Sequence, residues 1–441
     1  MSEQLTQNQI DSYWMPFTAN RQFKKDPRII TGAEGCYFTD ADGRKIYDGL
    51  SGLWTCGLGH NVPEISEAIA EQTKTLDFSP TFQFGHPKAF QLAEKITQFM
   101  PEGMNRVFYC GSGSEAADTS LKLARGYWRA QGKPSKTRLI GRGKGYHGVN
   151  YGGISVGGIG PNRAMFGEGI AADHLRHTWL KENYFSRGQP EQGADLAEEL
   201  VEMIMLHDAS NIAAVIVEPM AGSAGVFPPP VGYLDRLREI CDQHDILLIF
   251  DEVICAFGRM GANTGSEAFN VKPDIINIAK QMTNGAVPMG AVVVDQKIYD
   301  TFMEANTPEY VLEMPHGYTY SAHPLACAAG LAALDVLEKN HIIQRVAEIA
   351  PHFEESLHSL ANCNNVVDIR NYGLAGGITL APYPGEPLRR PYEVAMDMWK
   401  KGFYVRYGGD TIQLGLPFVT TEDEITSLMN ALGESLNAIA A

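Results

Sequence analysis

Short, almost uninterrupted apolar runs recur through the middle of the chain: Arg106–Cys110 (RVFYC), Ile212–Glu218 (IAAVIVE), Ile246–Asp251 (ILLIFD), Ile275–Ala279 (IINIA) and Ala291–Val294 (AVVV). Runs of that length without alternation are the mark of strands buried on both faces. Helical patterns lie between some of them. Ser114 to Gln131 follows the first run, and Val231 to His244 joins the second to the third with Leu234, Leu237, Ile240 and Cys241 on one face. A strand, a helix and a strand in such close succession form the unit of a parallel sheet, so an α/β core with a mainly parallel sheet covered by helices is expected.

The last hundred residues change character. The pattern predicts a helix near Ile342–Leu360, strands near Val366–Arg370 and Ile378–Ala381, a helix near Tyr392–Lys401, and a strand containing Tyr404–Arg406. A final helix opens at Thr421-Glu422-Asp423-Glu424, which has capping-box spacing. This reads as a smaller α+β domain. Near the start, TGAEGCYFTDADGRKIYDG predicts a hairpin whose tight turn is Asp42-Gly43.

Charge removes several functions from consideration. With 36 Lys plus Arg against 52 Asp plus Glu, the net charge is −16, so nucleic acid and anionic membrane surfaces are not expected partners. The uncharged stretch from Gly145 to Asn162 is broken by Gly, His147, Asn150 and Pro161 and does not read as a membrane span. MSEQLTQNQIDS has neither a signal nor a transit pattern, which makes the cytoplasm the expected location. The 7 cysteines are scattered without a C-x-x-C pair and read as buried, reduced thiols rather than disulfides or metal ligands.

What remains is a set of residues with chemistry. Gly111-Ser112-Gly113-Ser114-Glu115-Ala116 follows a predicted strand and opens a helix, formally matching G-x-G-x-x-A. The acidic residue that would hold a ribose is missing from the next apolar stretch, Arg138–Ile140, which weakens a dinucleotide reading. A phosphate at the helix N-terminus is consistent with these residues, and so is a plain strand-to-helix turn. Residues 141–160 contain nine Gly around Tyr146-His147, either a surface loop or a hinge that lets an aromatic ring stack on a planar ligand. Asp251 and Glu218 each end an apolar run, where carboxylates are rare unless paired or functional. Lys280 is the only charged residue from Ile275 to Val294. Apolar surroundings depress a lysine's pKa and free its amine to attack an aldehyde. A phosphate cradle, a stacking aromatic, a carboxylate for a protonated ring nitrogen and a lysine for a Schiff base together describe pyridoxal phosphate.

At these residues the chain resembles the class-III (omega) aminotransferases of the large pyridoxal-phosphate fold, fold type I. The resemblance runs over nearly the whole length, through SYWMPFTANRQFKKDPRII, GLSGLWTCGLGH, FYCGSGSEAADTSLKLAR, GRGKGYHGVN, VIVEPMAGSAGV, LLIFDEVICAFGR, AKQMTNGAVPMGAV, HGYTYSAHP and GFYVRYGGDTIQ. It implies a seven-stranded, mainly parallel sheet in a cofactor-binding domain over residues 61–335. The smaller α+β domain would be built from both termini, residues 1–60 and 336–441.

Carried over by position, the resemblance implies that Ser112, Gly113 and Ser114 hold the phosphate with Thr319 of a second subunit. Tyr146 and Val253 would sandwich the ring, Asp251 would pair with its nitrogen, Glu218 would support the cofactor site, and Lys280 would bond the cofactor. Leu53, Trp54, Phe82, Tyr146, Ala224 and the neighbour's Tyr318 would line the substrate pocket, with Arg406 as a mobile clamp for the substrate carboxylate. The implied activity is transfer of the amino group of β-alanine or another omega-amino acid or amine to pyruvate, in a homodimer or homotetramer with shared sites. A 4-aminobutyrate or diamine transaminase, or a same-fold aminomutase, is the alternative. Cys255 stands where many members have Thr or Ser, a departure that touches none of these roles.

Overall fold

The computed structural model describes residues 5–305 and 307–439. The first four residues of the polar N-terminal stretch lie outside it.

Burial on both faces decides the centre of the molecule. The runs Ile212–Val217, Leu247–Asp251 and Ile275–Ala279 are buried at every position and form adjacent parallel strands. On one side Arg138–Arg142 and Ala172–Leu175 continue the parallel order. On the other, Gly290–Asp295 pairs antiparallel with both Ile275–Ala279 and Met104–Cys110, completing seven strands. The expected sheet is therefore present, with one reversed strand. Ala172–Leu175 escaped the sequence reading because it is a four-residue edge strand with half-exposed positions.

Helices cover the sheet where the periodicity placed them. Gly113–Ala130 starts at Ser112, whose side chain accepts a hydrogen bond from Glu115 N, and buries Ala116, Leu121, Leu123 and Trp128. Tyr233–Gln243 buries the predicted stripe of Leu234, Leu237, Ile240 and Cys241.

Two four-stranded sheets flank this core. One is antiparallel, from Val366–Tyr372, Ala375–Leu380, Thr411–Gly415 and Arg406–Gly408. The other takes Ile30–Glu34, Tyr37–Asp40 and Lys45–Asp48 from the start of the chain and Phe403–Tyr404 from near its end. The expected single strand through Tyr404–Arg406 is thus two pieces in different sheets. The chain changes partners at buried Val405, because Tyr404 completes one backbone ladder and Arg406 another.

The hairpin also differs from expectation. Asp40 and Lys45 bound a wider connection than a two-residue turn, with Gly43 at φ +81°. The Asp40 carboxylate organises it, accepting from the backbone N–H groups of Asp42 at 3.0 Å and Arg44 at 2.9 Å. The last helix, Glu422–Ala438, does begin with the Thr421–Glu424 capping box. All seven cysteines are free, but Cys56 and Cys363 are only half-buried, correcting the expectation that all are core residues. Among the described residues no helix is long and apolar enough to cross a membrane, and no group of His, Cys, Asp and Glu could hold a metal ion.

Candidate active site

Four connections leave the same edge of the central sheet. Asp251 is the last residue of its strand, Lys280 follows Ala279, Glu218 follows Val217, and Gly111–Ser112 follows Cys110. The ends of parallel strands are where open α/β sheets bind ligands, since loops diverge there and helix N-termini point inward. A cavity of about 330 Å³ occupies this edge. Its wall brings together Ser112, Gly113 and Ser114 with Tyr146, and Glu218 and Asp251 with Val253 and Lys280.

The N-terminal turn of the helix Gly113–Ala130 forms one end. Gly113 is required there by space, because an added Cβ would stand 2.9 Å from Val253 Cγ1. Gly290 closes the turn from behind, where a Cβ would come 2.4 Å from the Ser112 carbonyl oxygen. Ser114 Oγ accepts a hydrogen bond from Val149 N at 3.2 Å, which leaves its own hydrogen to donate. Backbone N–H groups, a free hydroxyl donor and the helix dipole suit this end to a phosphate-sized anion.

At the other end, Lys280 and Asp251 share the cavity. Lys280 is half-buried and holds φ +48°, a left-handed conformation that a lysine adopts only when its surroundings enforce it. Burial lowers its pKa from the ordinary lysine range, against the raising influence of Asp251 and Glu218. Asp251 is buried and spoken for: its Oδ2 lies 2.9 Å from His147 Nδ1, and its Oδ1 accepts from Val253 N at 3.2 Å. An ionised Asp251 makes His147 the donor in that pair.

Glu218 does a different job. Its Oε1 accepts from Tyr146 N at 2.8 Å and its Oε2 from Gly222 N at 2.9 Å, so the carboxylate ties the Tyr146 loop to the 219–227 loop. Burial raises its pKa, as it does that of the Tyr146 phenol. Burial pushes the thiols of Cys36, Cys110, Cys241 and Cys327 up to about 12 and raises that of Cys255 as well.

The remaining predicted residues do not line this cavity within the chain. Tyr318 is directed to the back of the helix, its phenol 3.1 Å from Thr119 Oγ1, and Thr319 follows it. Phe82 is 53% exposed and packs against Gly317, while Leu53 is 50% exposed. Trp54 is buried, against Gly415 and beneath the Arg259 guanidinium. Ala224 sits in the 219–227 loop, half-buried. Arg406 lines a second cavity of about 400 Å³ with Gly52, Tyr404 and Trp399, yet its charge is felt at both Lys280 and Tyr146.

Comparison with known proteins decides the family. The family described as aminotransferase class-III matches residues 18–436. This chain belongs to the class-III aminotransferases. It is 62% identical to a beta-alanine–pyruvate aminotransferase of Pseudomonas aeruginosa, covering 98% of this chain and 96% of that one. It is 57% identical to an omega-amino acid–pyruvate aminotransferase of Pseudomonas putida, covering 98% and 97%. Among solved structures, the PLP-bound amine transaminase from an uncultivated Pseudomonas species superposes with a TM-score of 0.90 at 37% identity, over 96% of this chain and 98% of that one.

Two features of the candidate site were not identified from sequence. His147 stood out only as the neighbour of Tyr146, and nothing local reveals that it meets Asp251, 104 positions away. Gly290 stands just before the predicted strand Ala291–Val294, and its closeness to Ser112 is a product of the antiparallel pairing alone.

Proposed function

We propose that this class-III aminotransferase uses pyridoxal phosphate to move the amino group of β-alanine, or another omega-amino acid or amine, to pyruvate, giving malonate semialdehyde or the matching carbonyl compound and L-alanine. The observation that carries the reading is one cavity that holds a lone, desolvated lysine amine, a buried carboxylate and a helix N-terminus. The names of the relatives point to the same donor and acceptor.

The residues present fit the cofactor. Ser112, Gly113 and Ser114 would hold its phosphate, Tyr146 and Val253 would face the two sides of its ring, and Asp251 would meet its nitrogen. The cofactor, when bound, supplies an electron-withdrawing ring that stabilises negative charge at the substrate carbon. Asp251, held by His147, would face the ring nitrogen, and Glu218 ties down the Tyr146 backbone. Lys280, whose proton affinity burial lowers, would bond the cofactor and afterwards carry a proton at Nζ. Arg406 clamps the carboxylate of pyruvate or alanine. Leu53, Trp54, Phe82, Tyr146 and Ala224 shape the donor pocket.

The functional unit is a homodimer or a dimer-based tetramer. Phe82, Phe84, Phe90 and Tyr320 are all more than half exposed, and the helix Gln7–Ser12 buries none of its residues within the chain. A second copy covers such a surface, and Thr319 and Tyr318 then reach the neighbour's site. An acidic chain with free thiols suits the cytoplasm.

The test is an absorption spectrum of purified enzyme before and after β-alanine and then pyruvate. A visible cofactor band that bleaches with the amine and returns with the keto acid supports the reading. A band that neither compound moves refutes the substrates, and no band after supplying pyridoxal phosphate refutes the role of Lys280.

A further inference from the structure

Gln413 is wholly buried at the interface between the antiparallel C-terminal sheet and the cofactor-side loop, and half of its amide is unused. Its Nε2 donates to the Ser223 carbonyl at 2.8 Å, while its Oε1 accepts no hydrogen bond. The assignment of the two amide ends follows from the partner: Ser223 offers a carbonyl, so the nitrogen must face it and the oxygen turn elsewhere. Gly408 lies beside the amide, where an added Cβ would stand 3.1 Å from Nε2. Buried amide oxygens are rarely left unpaired in native proteins, so this buried acceptor is open to a donor from a neighbouring side chain.

The strand register supplies one. Arg406 is the direct cross-strand partner of Gln413. Directly opposed residues send their side chains to the same face, with Cβ atoms roughly 5 Å apart, well within reach of a guanidinium. Arg406 is half-buried beside the Tyr404 phenol and lines the second cavity, while its charge lowers the proton affinity of Lys280 in the first. It therefore stands between the two cavities with this acceptor across the strand.

We propose that Gln413 is a positioning residue for the substrate carboxylate: its side-chain oxygen receives the Arg406 guanidinium and holds it toward the cofactor cavity. Gln413 then sets the preference for carboxylate-bearing substrates over amines that lack a carboxylate. The inference rests on Arg406 being the carboxylate clamp. It adds a reason for the clamp to return to its place after each turnover: a neutral acceptor orients the guanidinium without neutralising it, leaving its charge for the incoming carboxylate.

The experiment compares wild type, Gln413→Met, Gln413→Glu and Arg406→Ala as holoenzymes, each checked for cofactor absorbance and thermal midpoint. Two quantities are measured: the KM for pyruvate, and the rate of the half-reaction with a primary amine that has no carboxylate. Gln413→Met keeps the length and removes the acceptor, and should raise the pyruvate KM roughly tenfold, the cost of one hydrogen bond to a charged group, with a much smaller change in the amine half-reaction. Gln413→Glu should raise it further, because a carboxylate competes with pyruvate for Arg406. A Gln413→Met enzyme that changes both quantities equally points to displacement of the Ser223 loop and overturns the proposal. So does one that changes neither while Arg406→Ala raises the pyruvate KM. If Arg406→Ala itself leaves that KM unchanged, the clamp reading fails instead, and the proposal with it.

Discussion

Replacing His147 by leucine removes the side chain that, among the described residues, hydrogen-bonds Asp251, with little change in size at a buried position. In the wild type the Asp251 carboxylate has His147 Nδ1 at 2.9 Å on one oxygen and Val253 N at 3.2 Å on the other. The longer contact is a backbone group fixed by the turn and cannot move to compensate. A hydrogen bond to a charged group contributes about 1.5 to 3 kcal/mol, so its loss should slow any step that depends on the Asp251 charge by roughly 10- to 150-fold. The assay is single-turnover bleaching of the cofactor band by β-alanine under saturating amine, which isolates the half-reaction from product release. The cofactor content should stay close to wild type, because the phosphate end does not involve His147. A half-reaction rate within twofold of wild type would show that Asp251 needs no support from His147 and would refute the argument.

Other perturbations separate the remaining contributions. Gly290→Ala drives a Cβ into the Ser112 carbonyl and should cost cofactor affinity at least tenfold, read by equilibrium dialysis of pyridoxal phosphate. Glu218→Gln replaces one of two acceptors with a donor that faces a backbone N–H, and should cost about 1 to 3 kcal/mol of stability in denaturant titrations together with a slower half-reaction. The pKa of Lys280 is lowered on folding, so between that depressed value and the ordinary 10.5 the unfolded chain binds the extra proton. The Lys280 contribution to the stability of the cofactor-free enzyme should therefore grow with pH through this window, and it is read as the difference in pH slope between wild type and Lys280→Met in thermal melts at several pH values. Asp274→Ala removes the buried carboxylate that holds Arg238 at 2.8 Å and Lys297 at 2.5 Å, while Arg238 keeps Asp242 and Lys297 reaches solvent, and should lower stability by about 1 to 3 kcal/mol with cofactor absorbance retained in the folded fraction.

The order of strands and helices could be read from the chain because each reading rested on a strong local signal. Ile212–Val217 and Ile275–Ala279 are apolar at nearly every position, which only a two-sided burial explains, and the Thr421–Glu424 box marks a helix start with four consecutive residues. Where the signal was weak the reading slipped. Tyr404 to Arg406 looks like one strand because the hydrophobic pattern carries no record of which ladder each backbone group joins. The width of the Asp40–Lys45 connection likewise depends on the Asp40 carboxylate, which folds back on backbone donors that a turn dipeptide does not reveal.

The same division runs through the active site. Lys280 and Asp251 were visible because a charge in an apolar run is energetically anomalous wherever the run is finally placed, and Gly111–Ala116 because small residues before a helix leave a recognisable mark. That anomaly is a property of the chain itself. The pairing of His147 with Asp251, the support of Tyr146 by Glu218, the closeness of Gly290 to Ser112 and the alignment of Gln413 with Arg406 are not. These depend on which strand lies beside which and in what register, and register is fixed by long-range burial and backbone hydrogen bonding across residues distant in sequence. The sequence alone thus determined which groups must be paired or used, and only the tertiary structure decided with what, because an unpaired buried charge is costly whatever its neighbours while a hydrogen bond exists only at a distance of about 3 Å.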